Sequence, residues 1–185
     1  MKSFFIILEK YATKRNCFVG VILIVLFNLI LFYKSSKLLS DKSVVEKSIL
    51  DLKFSYSPEF AYTFFENLGE EGRNTYKLSE IFIDFPYAVI YGFTYAFMIL
   101  ILLKINRLKN LIYLSFVPLL ISWFDILENL GIVAMLLKYP EKLENICNIT
   151  ATFTTLKWIF AIITFFIIVL NLIYLTISKA FLKQD

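Results

Sequence analysis

The sequence predicts an all-α integral membrane protein, a four-helix bundle with a short amphipathic helix in its long first loop. Three observations predict it. Hydrophobic residues make up 59% of the 185-residue chain, above the roughly half found in ordinary soluble domains. They gather into runs near the ~20 residues that a helix needs to cross a bilayer core. The basic residues collect at the ends of those runs. The length fits a single domain, residues 1–185.

The first span is expected at 17–33. Lys2, Lys10, Lys14 and Arg15 precede it as in a signal peptide. The stretch after it, Tyr33-Lys34-Ser35-Ser36-Lys37, has no small-x-small cleavage pattern, which reads as a retained anchor. Asn28, its lone polar residue, suits an interhelical hydrogen bond. The loop 34–80 matches its lysines with acids. Within it, Ser57-Pro58-Glu59 reads as N-cap, N1 proline and acidic first turn, and Gly69 as the closing glycine. The turns between put Phe60, Ala61, Phe64, Phe65 and Leu68 on one face. That helix either packs over the bundle ends or lies in the headgroup layer, and a mobile lid over a pocket is the sharper reading. A second helix is expected from near Glu70 into the second span, 81–103, bent at Pro86. The third span is expected at 111–137. The fourth, at 149–178, is long enough to require tilt or overhang.

Lysine and arginine positions set the expected orientation. The N-terminal arm has four, the second loop has Lys104, Arg107 and Lys109 with no acid, and the tail adds Lys179 and Lys183. Both termini are therefore expected in the cytoplasm and the loop 34–80 outside, the membrane being the inner or plasma membrane if the source is bacterial. Cys17 then lies near the inner face and Cys147 near the outer, too far apart for a disulfide.

Composition excludes several chemistries. Histidine is absent and there are two cysteines, so zinc, haem, Cys-His nucleophiles and CxxC redox pairs are ruled out. A net charge of +4 without a basic patch argues against nucleic acid. No nucleotide-binding motif, nucleophile elbow or internal repeat is present. The expected partner is the lipid bilayer, with no cofactor and no resident metal; oligomeric state is open.

Charges in lipid are costly unless they face protein or water, so ionisable residues within spans are informative. On the second helix Arg73, Lys77, Glu80, Asp84, Tyr87, Ala88, Tyr91 and Tyr95 fall within an arc of roughly 100°. Ala88, Gly92 and Ala96 follow Asp84 at steps of four, the spacing that permits close helix approach. Asp84 should therefore face another helix. Ser122, Asp125, Glu128 and Asn129 share an arc of roughly 120° on the third helix. On the fourth, Thr150, Thr154, Lys157, Thr164 and Asn171 lie on one side. Helical rise puts Asp84 about 5 Å, Asp125 about 9–18 Å and Lys157 about 9–12 Å below the outer boundary. The acids and the lysine thus converge in the outer half, and Lys157 is expected to pair with Asp125 or, second, with Glu128.

The candidate ligand-binding residues are Arg73, Glu80, Asp84, Tyr87, Tyr91, Asp125, Glu128, Asn129 and Lys157. No catalytic residue is assigned. Four acids face Lys157 and, at the mouth, Arg73. The surplus implies either protonated carboxyls or a bound cation, and an all-oxygen set suits a hard cation over zinc. A polar cluster that only fixes helix register is the blander reading and has first claim, ahead of ligand binding or transport, with acid–base catalysis last.

The residues also carry a resemblance. Tyr56-Ser57-Pro58-Glu59, Leu68-Gly69-Glu70-Glu71-Gly72-Arg73, Tyr76, then Glu80, Asp84, Pro86 and Tyr87, with Phe124-Asp125-Ile126-Leu127-Glu128-Asn129 and Lys157-Trp158, resemble a family of uncharacterised four-span bacterial membrane proteins. That similarity implies the topology and no mechanism. Glu80-Ile81-Phe82-Ile83-Asp84-Phe85-Pro86 and Tyr95-Ala96-Phe97 more loosely resemble the second helix of the EXPERA group, which includes the sigma-2 receptor and sterol isomerases. That resemblance implies that Glu80 and Asp84 face a lipophilic ligand. The expected function is a non-enzymatic membrane protein binding a small amphiphile, cationic or sterol-like. The alternatives are an isomerase-like acid–base enzyme acting on a lipid or isoprenoid and an accessory subunit of a membrane complex.

Overall fold

The basic N-terminal arm folds as a helix of its own. In the computed structural model, which describes residues 2–39 and 49–181, α1 (Lys2–Tyr11) precedes α2 (Lys14–Leu39). Thr13 caps α2, its Oγ1 accepting from the Asn16 N–H at 3.1 Å. α1 is amphipathic. It buries Leu8 against Ala96 and Leu100, and a Glu9–Lys104 ion pair at 2.9 Å reinforces it from outside. The remaining helices are α3 (Pro58–Ser79), α4 (Phe85–Ile105), α5 (Val117–Lys138) and α6 (Glu144–Phe181). No strand occurs among the described residues. Lys183 and the 40–48 part of the first loop, both used above, lie outside them.

Four helical stretches are long and apolar enough to cross a membrane: Lys14–Leu31, Pro58–Ile105, Lys109–Lys138 and Glu144–Lys179. Their outward faces carry large apolar side chains, Phe18, Leu29, Phe165 and Leu170 each being over 60% exposed. α5 packs against both α4 and α6, while α2 packs chiefly on α4. At each of these crossings a glycine faces a hydroxyl residue: Gly20 meets Thr94, Gly92 meets Ser122, and Gly131 meets Thr150. A Cβ at Gly92 would stand 2.6 Å from the Ser122 Cβ, so the backbones approach as small residues allow in membranes. Ala88 and Ala96 are fully buried on the same helix.

The long first loop follows its local chemistry. Ser57 Oγ accepts from the Phe60 N–H at 3.2 Å, and Pro58 opens α3. Gly69, at φ 67 and ψ −178, breaks α3 in a region open essentially to glycine alone. The helix before the break packs onto the bundle end, with Ala61, Phe64 and Phe65 buried beside Ile132, Met135, Cys147 and Ala151. It therefore rests on protein. The break frees carbonyls of the first segment, and Arg73 Nη1 donates to one of them, Phe65 O, at 3.0 Å.

Two boundaries differ from expectation. The helix from Glu70 does run toward the second span, but it passes through a π-helical turn at Glu80–Asp84, where the Phe85 N–H bonds Glu80 O. Pro86 offers no N–H to its own partner four residues back, so the ladder widens just before it. The third span was expected from Leu111, yet Lys109–Phe116 is 3₁₀ and the α-helix starts at Val117, with Pro118 in its first turn. A sharp reversal at Arg107, φ 59, separates this run from α4. At 38 residues α6 is about 57 Å long, well past a bilayer core.

Candidate functional site

α6 supplies the only buried cation among the described residues. Lys157, 8% exposed, stands opposite Asp125 and Glu128, which share one face of α5. Its Nζ lies 3.0 Å from Asp125 Oδ1 and 2.5 Å from Glu128 Oε2. The free acceptor positions are filled by neighbours. Tyr91 OH donates to Asp125 Oδ2 at 2.7 Å, and Thr154 Oγ1, one turn before Lys157, donates to Glu128 Oε1 at 2.8 Å. Both expected pairings therefore exist at once, and the charges are hydrogen-bonded as burial requires.

A second group of acids adjoins this triad. Glu80 is fully buried. With its amide nitrogen turned toward the two acceptors, Asn129 donates to Glu80 Oε2 at 3.0 Å and to the Asp125 carbonyl at 3.2 Å. Glu80 Oε1 has no hydrogen-bond partner. Asp84, at the other end of the π turn, is half-buried. Asp51 arrives from the loop on the 3₁₀ turn Leu50–Leu52. Carboxylate oxygens of Asp51, Glu80 and Asp84 lie within 4.8 Å of one another.

The loop turn is firmly seated. Leu50 is fully buried in the same core as Tyr56, Tyr62 and Phe65. Trp158 Nε1 donates to Asp51 O at 3.3 Å, and Thr155 Oγ1 to Phe54 O at 3.0 Å. Tyr76 OH reaches Asp51 Oδ2 at the long limit of 3.5 Å, while Asp51 Oδ1 is buried without a partner. Burial pushes the Asp51 carboxyl up from its usual range; the Lys157 ammonium pulls it back and Asp125 adds to the rise. Burial likewise raises the Tyr56 hydroxyl, reinforced by the nearby Glu128.

Of the nine residues expected at the site, seven meet there: Glu80, Asp84, Tyr91, Asp125, Glu128, Asn129 and Lys157. Tyr87 borders it. Its hydroxyl accepts from Asn28 Nδ2 at 2.9 Å, and its ring stacks on Phe27, so it faces α2 and touches the centre only through Tyr91. Arg73 is elsewhere: besides bonding Phe65 O, its guanidinium lies 4.1 Å from the Tyr139 ring centroid. Asp51, Thr154, Tyr76 and Tyr56 were not among the candidates. Thr154 and the two tyrosines stood in the polar stripe or in the motifs above. Asp51 gave a thinner signal, an acid between two leucines in a loop full of charge. An apolar groove of about 200 Å³ lined by Phe4, Ile7, Leu8, Tyr11, Phe93 and Phe97 belongs to the α1 end and shares no residue with these acids.

No family model, curated protein or solved structure matches the chain. Two carboxyls contact the Lys157 ammonium and three more cluster beside them among the described residues, and the two sides of the centre differ. The Lys157 side is sealed and internally paired, whereas Asp51 and Asp84 are half-buried, and Asp51 Oδ1 and Glu80 Oε1 have no hydrogen-bond partner. Such a site can accept positive charge.

Proposed function

We propose that the chain is a four-span membrane protein, its termini cytoplasmic, whose acid centre binds a small positively charged amphiphile in the outer half of the bundle. One observation carries the ligand reading: beside the Lys157–Asp125–Glu128 pairing, Glu80 Oε1 and Asp51 Oδ1 are buried in a carboxyl cluster with nothing donating to them. An ammonium group entering past Asp51 and Asp84 would supply the donors, while exposed Phe82 and Phe85 on the same turn offer apolar surface to its tail. Membrane insertion accounts for the four apolar helices and for polar residues turned inward on α4, α5 and α6. The looser resemblance above points to two of the same acids, Glu80 and Asp84.

The test uses the purified chain in a neutral maltoside. A long-chain primary amine should raise the unfolding temperature, by the equivalent of about 2.7 kcal/mol at a hundred times its Kd. The alcohol of equal chain length should not, and Glu80→Gln should blunt the amine response. Equal responses to amine and alcohol would show partitioning into apolar surface and remove the proposal.

A second reading, acid–base isomerisation of a lipid or isoprenoid, is favoured by the nearness of Asp51 and Glu80, whose carboxylate oxygens lie within 4.8 Å. Two carboxyls sharing one proton put a donor beside an acceptor. Turnover would carry solvent deuterium into the lipid, which mass spectrometry reads directly.

A further inference from the structure

We infer that Asp51, Glu80 and Asp84 form a Ca²⁺ site that fastens the first loop onto the outer edge of the acid centre. Three independent features converge on it. Glu80 and Asp84 begin and end a single π-helical turn, a feature frequent at functional sites. Asp51 comes from a separate element, the loop turn whose backbone is held by Trp158, so the oxygens meet from two directions. The fully buried Glu80 and the loop's Asp51 each keep one buried oxygen with no partner. Lys157 does not fill this role, because its ammonium contacts Asp125 and Glu128.

The spacing admits a hard cation held by oxygen. Two ligands of one ion can be no further apart than twice the metal–oxygen distance, which is about 4.6–5.2 Å for Ca²⁺ and about 4.0–4.2 Å for Mg²⁺. The three carboxylate oxygens lie within 4.8 Å of one another, close enough together for one hard cation to bridge them. Ca²⁺ also tolerates irregular coordination completed by water, which the half-buried Asp51 and Asp84 admit. An ion there ties the Leu50–Leu52 turn to the π turn and so closes the edge by which a ligand would enter. That consequence rests on the ligand-binding reading; the ion site itself rests on the geometry.

Calorimetry on the full chain in maltoside, stripped with a chelator and dialysed free of it, tests the inference. One Ca²⁺ per chain should bind, with Mg²⁺ at least tenfold weaker, and Asp51→Asn and Asp84→Asn should each weaken Ca²⁺ at least tenfold. Glu144→Gln, an acid outside the cluster, should bind as the unsubstituted chain does. Absence of Ca²⁺ binding to the unsubstituted chain would overturn the inference and leave Asp51 and Glu80 sharing a proton instead. Binding undiminished in a folded Asp51→Asn or Asp84→Asn chain would overturn it equally. The amine response is measured with chelator present, so it survives if only the ion site fails, and its loss leaves the calorimetric result standing.

Discussion

Lys157 lies between two carboxylates, and that arrangement decides what single substitutions there do. Lys157→Met leaves Asp125 and Glu128 facing each other with only Tyr91 and Thr154 as donors, at an expected cost of about 3–5 kcal/mol. Asp125→Leu alone should cost less, because Lys157 keeps Glu128. Combining the two removes the ammonium but strands Glu128, so recovery should be partial. Adding Glu128→Gln should restore most of the stability, since a buried ionic cluster replaced whole is often near neutral. Thermal unfolding in detergent measures the series, and strictly additive losses would show that the three groups do not act together. Lys157 was legible in the sequence because a charge within an apolar run stands out against its surroundings. Asp51 was not, because an acid among loop charges has no such contrast and only the fold brings it to Glu80.

Two glycines act at the level of the helix, by opposite physics. Gly69 has open space where a Cβ would go, so Gly69→Ala meets no neighbour; it must instead hold φ 67, ψ −178, at about 1–3 kcal/mol. Gly92→Ala keeps a helical backbone but drives its Cβ toward Ser122, with overpacking expected at about 1–3 kcal/mol. Ser122→Gly should therefore rescue Gly92→Ala and do nothing for Gly69→Ala, a contrast that unfolding temperatures of the double variants resolve. Val89→Leu, on a 36% exposed position, should be tolerated. Helical periodicity predicted the buried stripes of α5 and α6 because both helices are regular there. It did not predict the π turn, since a constant step per residue contains no term for the hydrogen bond that Pro86 withholds. That turn, inserted midway along the expected stripe, helps to place Glu80 against α5 while Tyr87 faces α2.

At the scale of the whole molecule the contacts sort the segments by end. Glu9 meets Lys104, and Phe4 and Phe5 meet Phe116, so α1 and the second loop share one end. Tyr62 OH accepts from the Leu143 N–H at 2.6 Å and Trp158 holds Asp51, which gathers the first and third loops at the other. This is the alternation that four helices running up and down require, as the four apolar runs led us to expect. The orientation proposed above makes the α1 end the cytoplasmic one: it holds Lys10, Lys14, Arg15, Lys104, Arg107 and Lys109, and a lysine and arginine excess favours that side. In a Cys17→Ser, Cys147→Ser background, a membrane-impermeant maleimide applied to intact cells should label Glu66→Cys, an exposed position on α3. Arg107→Cys should react only after permeabilisation. The reverse pattern would invert the protein and turn the Asp51–Asp84 edge toward the cytoplasm. Ca²⁺ is scarce there, so the ion site would then need far tighter binding to be filled, and an amphiphile would have to enter from the inner leaflet.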